Sequence, residues 1–123
     1  RVEAAGVVYG LGTDVGAGTS MSVFTEMRHA DYTQFERAVS PQKAFWLATA
    51  GGARTLSMEK EIGSLEPGKQ ADFCVVDIER VDPAYRLSEL CADEILSLLM
   101  YRGDGGAVES TWVGGRKLDV DFS

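Results

Sequence analysis

Apolar residues at the start of the chain are spaced in a way that favours an α/β fold. Residues 6–12 (GVVYGLG) form an apolar run closed by glycines, which is typical of a buried strand in a parallel sheet. A glycine-rich loop follows at 13–18, and after it Met21, Phe24 and Met27 recur at three-residue intervals. This pattern predicts a strand, a loop and a helix in that order.

Residues 40–56 (SPQKAFWLATAGGARTL) predict a second helix. Ser40 is a favourable N-cap, and Pro41 suits the first helical position because that position needs no N–H donor. Gly51 and Gly52 interrupt the helical spacing, which resumes after them. We therefore expect one helix whose glycines allow close packing against a neighbour.

The second half of the chain mixes strand and helix patterns. Pro67 and Gly68 suit the two central positions of a type II turn, and a strand is predicted after them at 73–76. A third helix is predicted for residues 88–101, with Gly103 as its C-terminal stop.

The last predicted element is a β-hairpin. Residues 107–113 alternate between two faces, as a half-exposed strand does. Gly114 and Gly115 then favour a tight turn into a second strand at 116–120.

The composition is that of a soluble globular domain. The 123 residues are 45% apolar and 25% charged, with a mean hydropathy of -0.08. The formal charge of -7 is interrupted by no cluster of Lys or Arg, which argues against a nucleic-acid or anionic-membrane partner. The longest strongly apolar stretch, 95–101, is far shorter than the roughly 20 residues that cross a bilayer.

The first residues carry neither an initiating methionine nor an apolar signal segment. We therefore expect a cytoplasmic protein whose sequence continues upstream of this chain. Cys74 and Cys91 have no Cys-x-x-Cys spacing, and we expect both to be free, buried and reduced.

The single histidine, His29, limits the metal chemistry of this chain. One histidine cannot build a zinc site of three histidines, or of two histidines and a glutamate. A Ser-His-Asp hydrolase is not expected either, because no Gly-x-Ser-x-Gly motif is present. His29 falls on the predicted first helix without ligand spacing, so we expect a surface or packing role for it.

Asp14 is the strongest candidate for a chemical role. It follows the predicted strand at 6–12, at the end where α/β sheets and barrels place their functional groups. A carboxylate there can bind a metal ion or transfer a proton. The structural alternative is an Asx turn, in which the carboxylate accepts hydrogen bonds from loop amides. Position alone leaves both interpretations open.

A phosphate-binding loop is a competing interpretation of the same segment. Four glycines surround the loop: Gly10, Gly12, Gly16 and Gly18. Asp31 lies near the spacing of about 20 residues at which dinucleotide-binding motifs carry a ribose-binding acid. The third glycine of that motif is absent, however, and Asp14 would place negative charge where a pyrophosphate should bind. We therefore disfavour dinucleotide binding.

Four segments occur in the order found near the C-terminus of metal-dependent amidohydrolases. They are residues 10–20 (GLGTDVGAGTS), 40–56, 62–73 (IGSLEPGKQADF) and 113–116 (VGGR). The third resembles a segment shared by amidohydrolases that deaminate or dechlorinate ring compounds or cleave cyclic amides. The segment at 10–20 resembles the guanine deaminases more specifically. So do the Met-Ser helix start after it and the later LMYRGD at 99–104. The resemblance covers nearly the whole chain.

This resemblance implies the C-terminal part of a (β/α)₈ TIM-like barrel together with strands of a small composite β-sandwich built from both chain ends. It implies the last barrel strand and following helices at 1–60, sandwich strands at 61–82, a helix at 83–104 and a C-terminal hairpin of the sandwich at 105–123. A complete barrel needs roughly 200 residues or more, so the remainder would lie upstream.

The resemblance also implies a zinc cofactor and a reaction. Asp14 matches the aspartate that, in this family, binds zinc after the eighth strand, and the histidine ligands would lie upstream of this chain. Asp14 would also be catalytic, because a carboxylate beside zinc can take a proton from water and deliver it to a departing amine. The implied reaction converts guanine and water to xanthine and ammonia.

Two alternatives stay open from the sequence. The chain can belong to another amidohydrolase, such as a pterin, triazine or adenosine-type deaminase, because most residues that recognise the substrate ring would lie upstream. It can also be a non-catalytic module that completes a barrel or a dimer. The resemblance implies a homodimer for the full enzyme and no activity for this chain alone, because most metal ligands would be missing.

Overall fold

The computed structural model describes residues 5–34 and 38–119 of the chain. The helices are α1 (Val23–Tyr32), α2 (Pro41–Ala48), α3 (Ala50–Thr55), α4 (Ile78–Val81) and α5 (Ala92–Arg102), and the strands are β1 (Phe73–Val76), β2 (Val108–Val113) and β3 (Arg116–Lys117). Short 3₁₀ turns at Leu87–Glu89 and Gly105–Ala107 precede α5 and β2. None of the helices in the described ranges is long and apolar enough to span a membrane.

Three helices, α1, α2 and α5, pack against one another and form the core. The core cluster contains Phe24 and Met27 from α1, Ala44 from α2, and Leu99 and Met100 from α5. Ala44 is fully buried, and its small side chain lets the neighbouring helices approach α2 closely. The apolar stripe of each helix therefore faces the other two helices.

The three strands form one antiparallel sheet with β2 in the middle. Phe73 pairs with Trp112 across β1 and β2, and their rings stack with centroids 5.5 Å apart. Gly114 and Gly115 connect β2 to β3 with φ angles of 56° and 76°, as a two-residue type I′ turn requires. Ile78 of α4, which follows β1, is buried in the helical core and joins the sheet to the helices.

Several predicted elements are confirmed. β1 spans the predicted strand at 73–76, and the predicted hairpin is present, with a second strand of two residues. The type II turn is confirmed because the Lys69 N–H donates to the Glu66 carbonyl at 3.1 Å and Gly68 has a φ of 93°. These elements are set by local backbone preferences.

The strand predicted at 6–12 is wrong for the chain as described. Residues 7–14 have no regular secondary structure. The Leu11 N–H donates at 3.1 Å to the carbonyl of Leu47, which lies in a helix and not in a strand. A parallel strand takes its backbone hydrogen bonds from neighbouring strands, and the described part of the chain places none beside this segment.

The single helix predicted for 40–56 is two helices, α2 and α3. Ser40 caps α2 as predicted, since its Oγ accepts a hydrogen bond from the Lys43 N–H at 3.2 Å. Thr49 leaves the helical region with φ -125° and ψ -98°, which ends α2 one residue earlier. The second helix, α3, begins at Ala50 and contains both glycines.

The helix predicted for 88–101 starts later, at Ala92. The carboxylate of Glu94 accepts a hydrogen bond from the Cys91 N–H at 2.8 Å and so caps the N-terminus of α5. The same hydrogen bond lowers the pKa of Glu94 below its ordinary value. Gly103 follows the last helical residue, as predicted.

The two cysteines are free, as expected, but the expectation that they are buried is wrong. Cys74 and Cys91 are both exposed. Cys74 lies in β1, an edge strand of the described sheet, and Cys91 lies immediately before α5. Apolar neighbours in the sequence therefore do not place these thiols in the core.

The first helix provides a matched test of the packing. Met27 is fully buried, whereas Met21 lies before α1 and is 78% exposed. We expect Met27→Ala to lower the free energy of unfolding of the 123-residue chain by about 2–5 kcal/mol, because it leaves a cavity among three helices. Met21→Ala should change it by less than about 0.5 kcal/mol. Urea unfolding followed by circular dichroism measures both, and equal losses would contradict this packing.

Candidate functional site

Asp14 stands at the end of the segment 7–14, immediately before a tight turn. Its φ is 48°, in the left-handed region that residues with a Cβ rarely adopt. The residue is exposed. Such a conformation at an exposed carboxylate motivates a functional hypothesis, since strained backbone positions cluster at active sites and ligand clamps.

The turn after Asp14 is closed by backbone hydrogen bonds. The carbonyl oxygen of Asp14 accepts from the Ala17 N–H at 2.9 Å and from the Gly18 N–H at 2.7 Å. Gly16 supplies a φ of 94° between them. Gly18 lies so close to Thr13 that a Cβ on Gly18 would overlap the Thr13 carbonyl oxygen. The loop sequence therefore holds Asp14 in one backbone conformation.

The Asp14 carboxylate takes no part in closing this turn. An Asx turn requires the Asp14 carboxylate to accept a loop amide, and the amides that close this turn donate to the Asp14 carbonyl instead, so the Asx-turn alternative is wrong. Within the described ranges, no hydrogen bond or ion pair involves the Asp14 carboxylate. Its oxygens are thus available to a ligand, which is what a metal-binding or proton-transferring group requires.

The segment before Asp14 is attached to the helices. Leu11 packs against the core cluster, and its N–H donates to the Leu47 carbonyl at 3.1 Å. A Cβ on Gly10 would lie 2.7 Å from the Cα of Gly52, so the two backbones meet directly. The close contact requires a glycine at position 10, whereas a Cβ on Gly52 would meet only the Leu47 carbonyl oxygen at 3.5 Å.

Asp14 can supply one ligand to a metal ion, but the described residues around it do not form a complete metal site. Within the described ranges, no three His, Cys, Asp or Glu side chains lie close enough together to hold a metal ion. Zinc in catalytic sites takes three protein ligands of nitrogen, oxygen or sulfur. A carboxylate that is exposed and unpaired fits one of these positions, and further ligands would have to come from outside the described residues.

His29 lies on α1 beside Glu26 and is not part of a ligand cluster with Asp14. Its Nδ1 is 4.0 Å from Glu26 Oε2, and its side chain is 41% exposed. Its backbone carbonyl accepts from the Thr33 hydroxyl at 2.8 Å. This placement agrees with the surface role that the sequence predicts.

Asp31, the acid of the disfavoured dinucleotide interpretation, has structural partners. One carboxylate oxygen accepts from the Val39 N–H at 2.8 Å, and the other accepts from the Tyr101 hydroxyl at 2.8 Å. The hydrogen bond to Asp31 is the main cause that raises the pKa of the Tyr101 phenol above its ordinary value. Asp31 therefore links α1 to α5, and its oxygens are not free to bind a ribose.

Two open depressions in the described surface lie away from Asp14. One, of about 440 Å³, is lined by residues of α5 and the segment before it, among them Tyr85, Ser97 and Tyr101. The other, of about 260 Å³, is lined by residues 6–9 together with Lys43, Trp46 and Arg54. Neither is lined by Asp14, so the candidate site is the exposed turn itself.

The turn makes a testable prediction with a matched glycine control. We expect Gly18→Ala to destabilise the 123-residue chain by about 1–3 kcal/mol, because the added methyl overlaps the Thr13 carbonyl. Gly12→Ala should have little effect, since nothing lies within 4 Å of a Cβ there and its φ is not in the left-handed region. Amide exchange by NMR should show loss of protection at Ala17 in the first variant only. Retained protection would show that the turn is not closed in this way.

Comparison with known proteins agrees with the resemblance found in the sequence. The profile of the amidohydrolase family matches residues 1–118. The guanine deaminase of Escherichia coli strain K12 is 36% identical over 119 residues, covering 89% of this chain and 26% of that protein. The solved structure of E. coli guanine deaminase superposes with a TM-score of 0.87 at 31% identity, over 96% of this chain and 28% of that one.

A second solved structure extends the comparison beyond guanine deaminases. An adenosine deaminase from Xanthomonas campestris, solved with bound zinc, has a TM-score of 0.75 at 27% identity, over 98% of this chain and 29% of that one. The chain thus spans between a quarter and a third of the length of these relatives. Because the family profile covers residues 1–118, the chain belongs to the amidohydrolase family, and its resemblance to guanine deaminases is confirmed.

Proposed function

We propose that this chain is the C-terminal part of a zinc-dependent guanine aminohydrolase, which converts guanine and water to xanthine and ammonia. The observation that carries the proposal is Asp14, an exposed carboxylate held by a left-handed backbone and used by no hydrogen bond of the described chain. It is supported by the similarity to E. coli guanine deaminase along most of the chain. We call the complete polypeptide the parent enzyme.

In this proposal Asp14 has two tasks. The Asp14 carboxylate would hold zinc together with histidines from upstream, and it would accept a proton from water and return it to the departing amine. When bound, zinc supplies a water of lowered pKa as the nucleophile. The turn at 14–18 holds the Asp14 backbone in place during both proton transfers, because its hydrogen bonds use the Asp14 carbonyl and leave the carboxylate free.

The proposal also assigns a place to the rest of the chain. Residues 1–60 would supply the last barrel strand and the helices that follow it. Residues 61–82 and 105–123 would contribute strands to the composite β-sandwich, with the helix at 83–104 between them. The parent enzyme would be a cytoplasmic homodimer.

An adenosine-type deaminase is the second candidate. It is supported by the similarity to the X. campestris adenosine deaminase at a TM-score of 0.75. Asp14 would perform the same proton transfers in either enzyme, because both reactions replace an exocyclic amine on a purine ring by oxygen. A parallel assay of the parent enzyme on guanine and adenosine separates the two candidates.

Substitution of Asp14 in the parent enzyme tests the proposed roles. We expect Asp14→Ala to lower kcat at least 10²-fold, which is about what one general acid-base group contributes, while the fold is retained. Asp14→Asn should still bind zinc weakly but should not transfer the proton. Zinc content by atomic absorption and guanine loss by absorbance measure the two roles separately.

His29→Gln is the control for that experiment. His29 lies on α1 beside Glu26 and apart from any ligand cluster in the described ranges, so zinc content and turnover should stay near wild type. Loss of zinc in this variant would contradict the assignment of ligands. Turnover above about a tenth of wild type in Asp14→Ala would contradict the role of Asp14.

The chain by itself provides a further prediction. The purified 123-residue chain with added zinc should not deaminate guanine, because one carboxylate cannot hold zinc against water. Ammonia release, followed for the chain and for the parent enzyme at equal concentration, measures this. Turnover by the chain alone would show that the remaining ligands are not needed.

A further inference from the structure

The C-terminal end of α2 leaves carbonyl oxygens without helical partners, as every helix end does. Two of them are satisfied by Thr49, whose Oγ1 donates to the Phe45 carbonyl at 2.8 Å and whose N–H donates to the Trp46 carbonyl at 3.2 Å. The third, the carbonyl of Leu47, accepts the Leu11 N–H at 3.1 Å. The break at Thr49 thus creates the acceptor to which the segment 7–14 is attached.

The same junction sets the distance between the segment and the helices. Gly10 precedes the hydrogen-bonded Leu11, and a Cβ on Gly10 would lie 2.7 Å from the Gly52 Cα and 3.2 Å from the Leu47 carbonyl oxygen. These are backbone atoms, so no side-chain rotation relieves the overlap. The hydrogen bond from Leu11 to Leu47 therefore requires a glycine at position 10.

Asp14 lies between this attachment and a second one. On one side, Leu11 is three residues away, and an extended chain spans at most about 3.6 Å per residue. On the other side, the turn at 14–18 leads to α1, whose Phe24 is buried in the core. The backbone on both sides of Asp14 is therefore attached, at Leu11 on one side and through the closed turn at 14–18 on the other.

We infer that the junction between α2 and α3 positions the Asp14 carboxylate, with Gly10 and the Leu47 carbonyl as the positioning groups. In this inference the two groups act through the backbone of residues 10–14. The attachment itself is independent of the proposed function, and only its consequence for zinc binding rests on it.

Amide hydrogen exchange in the 123-residue chain tests the attachment directly. In the wild-type chain we expect the Leu11 amide to exchange at least about tenfold more slowly than the Gly12 amide, which has no acceptor among the described residues. Gly10→Ala should abolish the protection of Leu11 while the turn amides of Ala17 and Gly18 stay protected. This combination separates local detachment from global unfolding.

Two glycine controls accompany that variant. Nothing lies within 4 Å of a Cβ on Gly12, and a Cβ on Gly52 would meet only the Leu47 carbonyl oxygen, at an ordinary 3.5 Å. Gly12→Ala and Gly52→Ala should therefore keep the Leu11 amide protected. If Gly10→Ala does not fold, the amide exchange rates of Leu11 and Gly12 in the wild-type chain test the attachment. Equal rates would overturn the inference.

Zinc affinity of the parent enzyme tests the consequence. We expect Gly10→Ala to weaken zinc binding about 10- to 100-fold, the effect typical of removing a group that orients a metal ligand, whereas Gly52→Ala binds zinc as wild type does. Competition with a chelator measures the dissociation constants without reference to turnover. Equal zinc affinity in the two variants would overturn the positioning role. Unchanged turnover in Asp14→Ala would instead overturn the proposed function and leave the exchange result standing.

Discussion

The packing of α5 against α1 and α2 is the contact on which the described structure depends. Met27 and Met100 are fully buried where these helices meet, and burying such a side chain contributes about 1.5–3 kcal/mol. An exposed ion pair such as Arg80 with Asp77, whose charged atoms are 3.3 Å apart, contributes about 0–1 kcal/mol. Apolar burial among the helices therefore outweighs the surface charges, although the chain is strongly acidic.

Backbone contacts attach the loop that carries Asp14 to this core. Ala44 keeps α2 close to its neighbours, and the end of α2 presents the Leu47 carbonyl to Leu11. On the other side, the Tyr101 hydroxyl and Asp31 join α5 to α1, the helix that follows the turn. Both flanks of the Asp14 loop are thus attached to the same three helices, which explains how an exposed loop can keep a defined geometry.

Structural features that depend on a few adjacent residues are predicted correctly from the sequence, whereas features that depend on distant residues are not. The turns at Pro67 and at Gly114, and the N-cap at Ser40, follow from backbone preferences of a few residues and are confirmed. The strand expected at 6–12 needs neighbouring strands, and the buried thiol expected at Cys74 needs a neighbour that covers its face of the sheet. Neither neighbour is present in the described ranges.

One unpredicted element has a local signal in the sequence, whereas part of the Asp14 geometry has none. Asp77 caps α4, which was not predicted, by accepting the Glu79 N–H at 2.9 Å, and aspartate is one of the residues favoured at an N-cap. The candidate residue Asp14 was found from its place after an apolar run. Its left-handed φ and its unused carboxylate could not be found, because they follow from the hydrogen bonds of the folded turn.

A comparison with the other left-handed residue strengthens the functional interpretation of Asp14. Ser57 has a φ of 59°, and it follows α3, where the Ser57 and Met58 amides donate to carbonyls of the last helical turn. Its conformation is therefore explained by the helix end. At Asp14 the turn uses only backbone atoms, so glycine would form it without the roughly 1–2 kcal/mol that a Cβ costs in this region. The turn itself does not use the carboxylate, and the proposed function would account for it by cation binding and proton transfer.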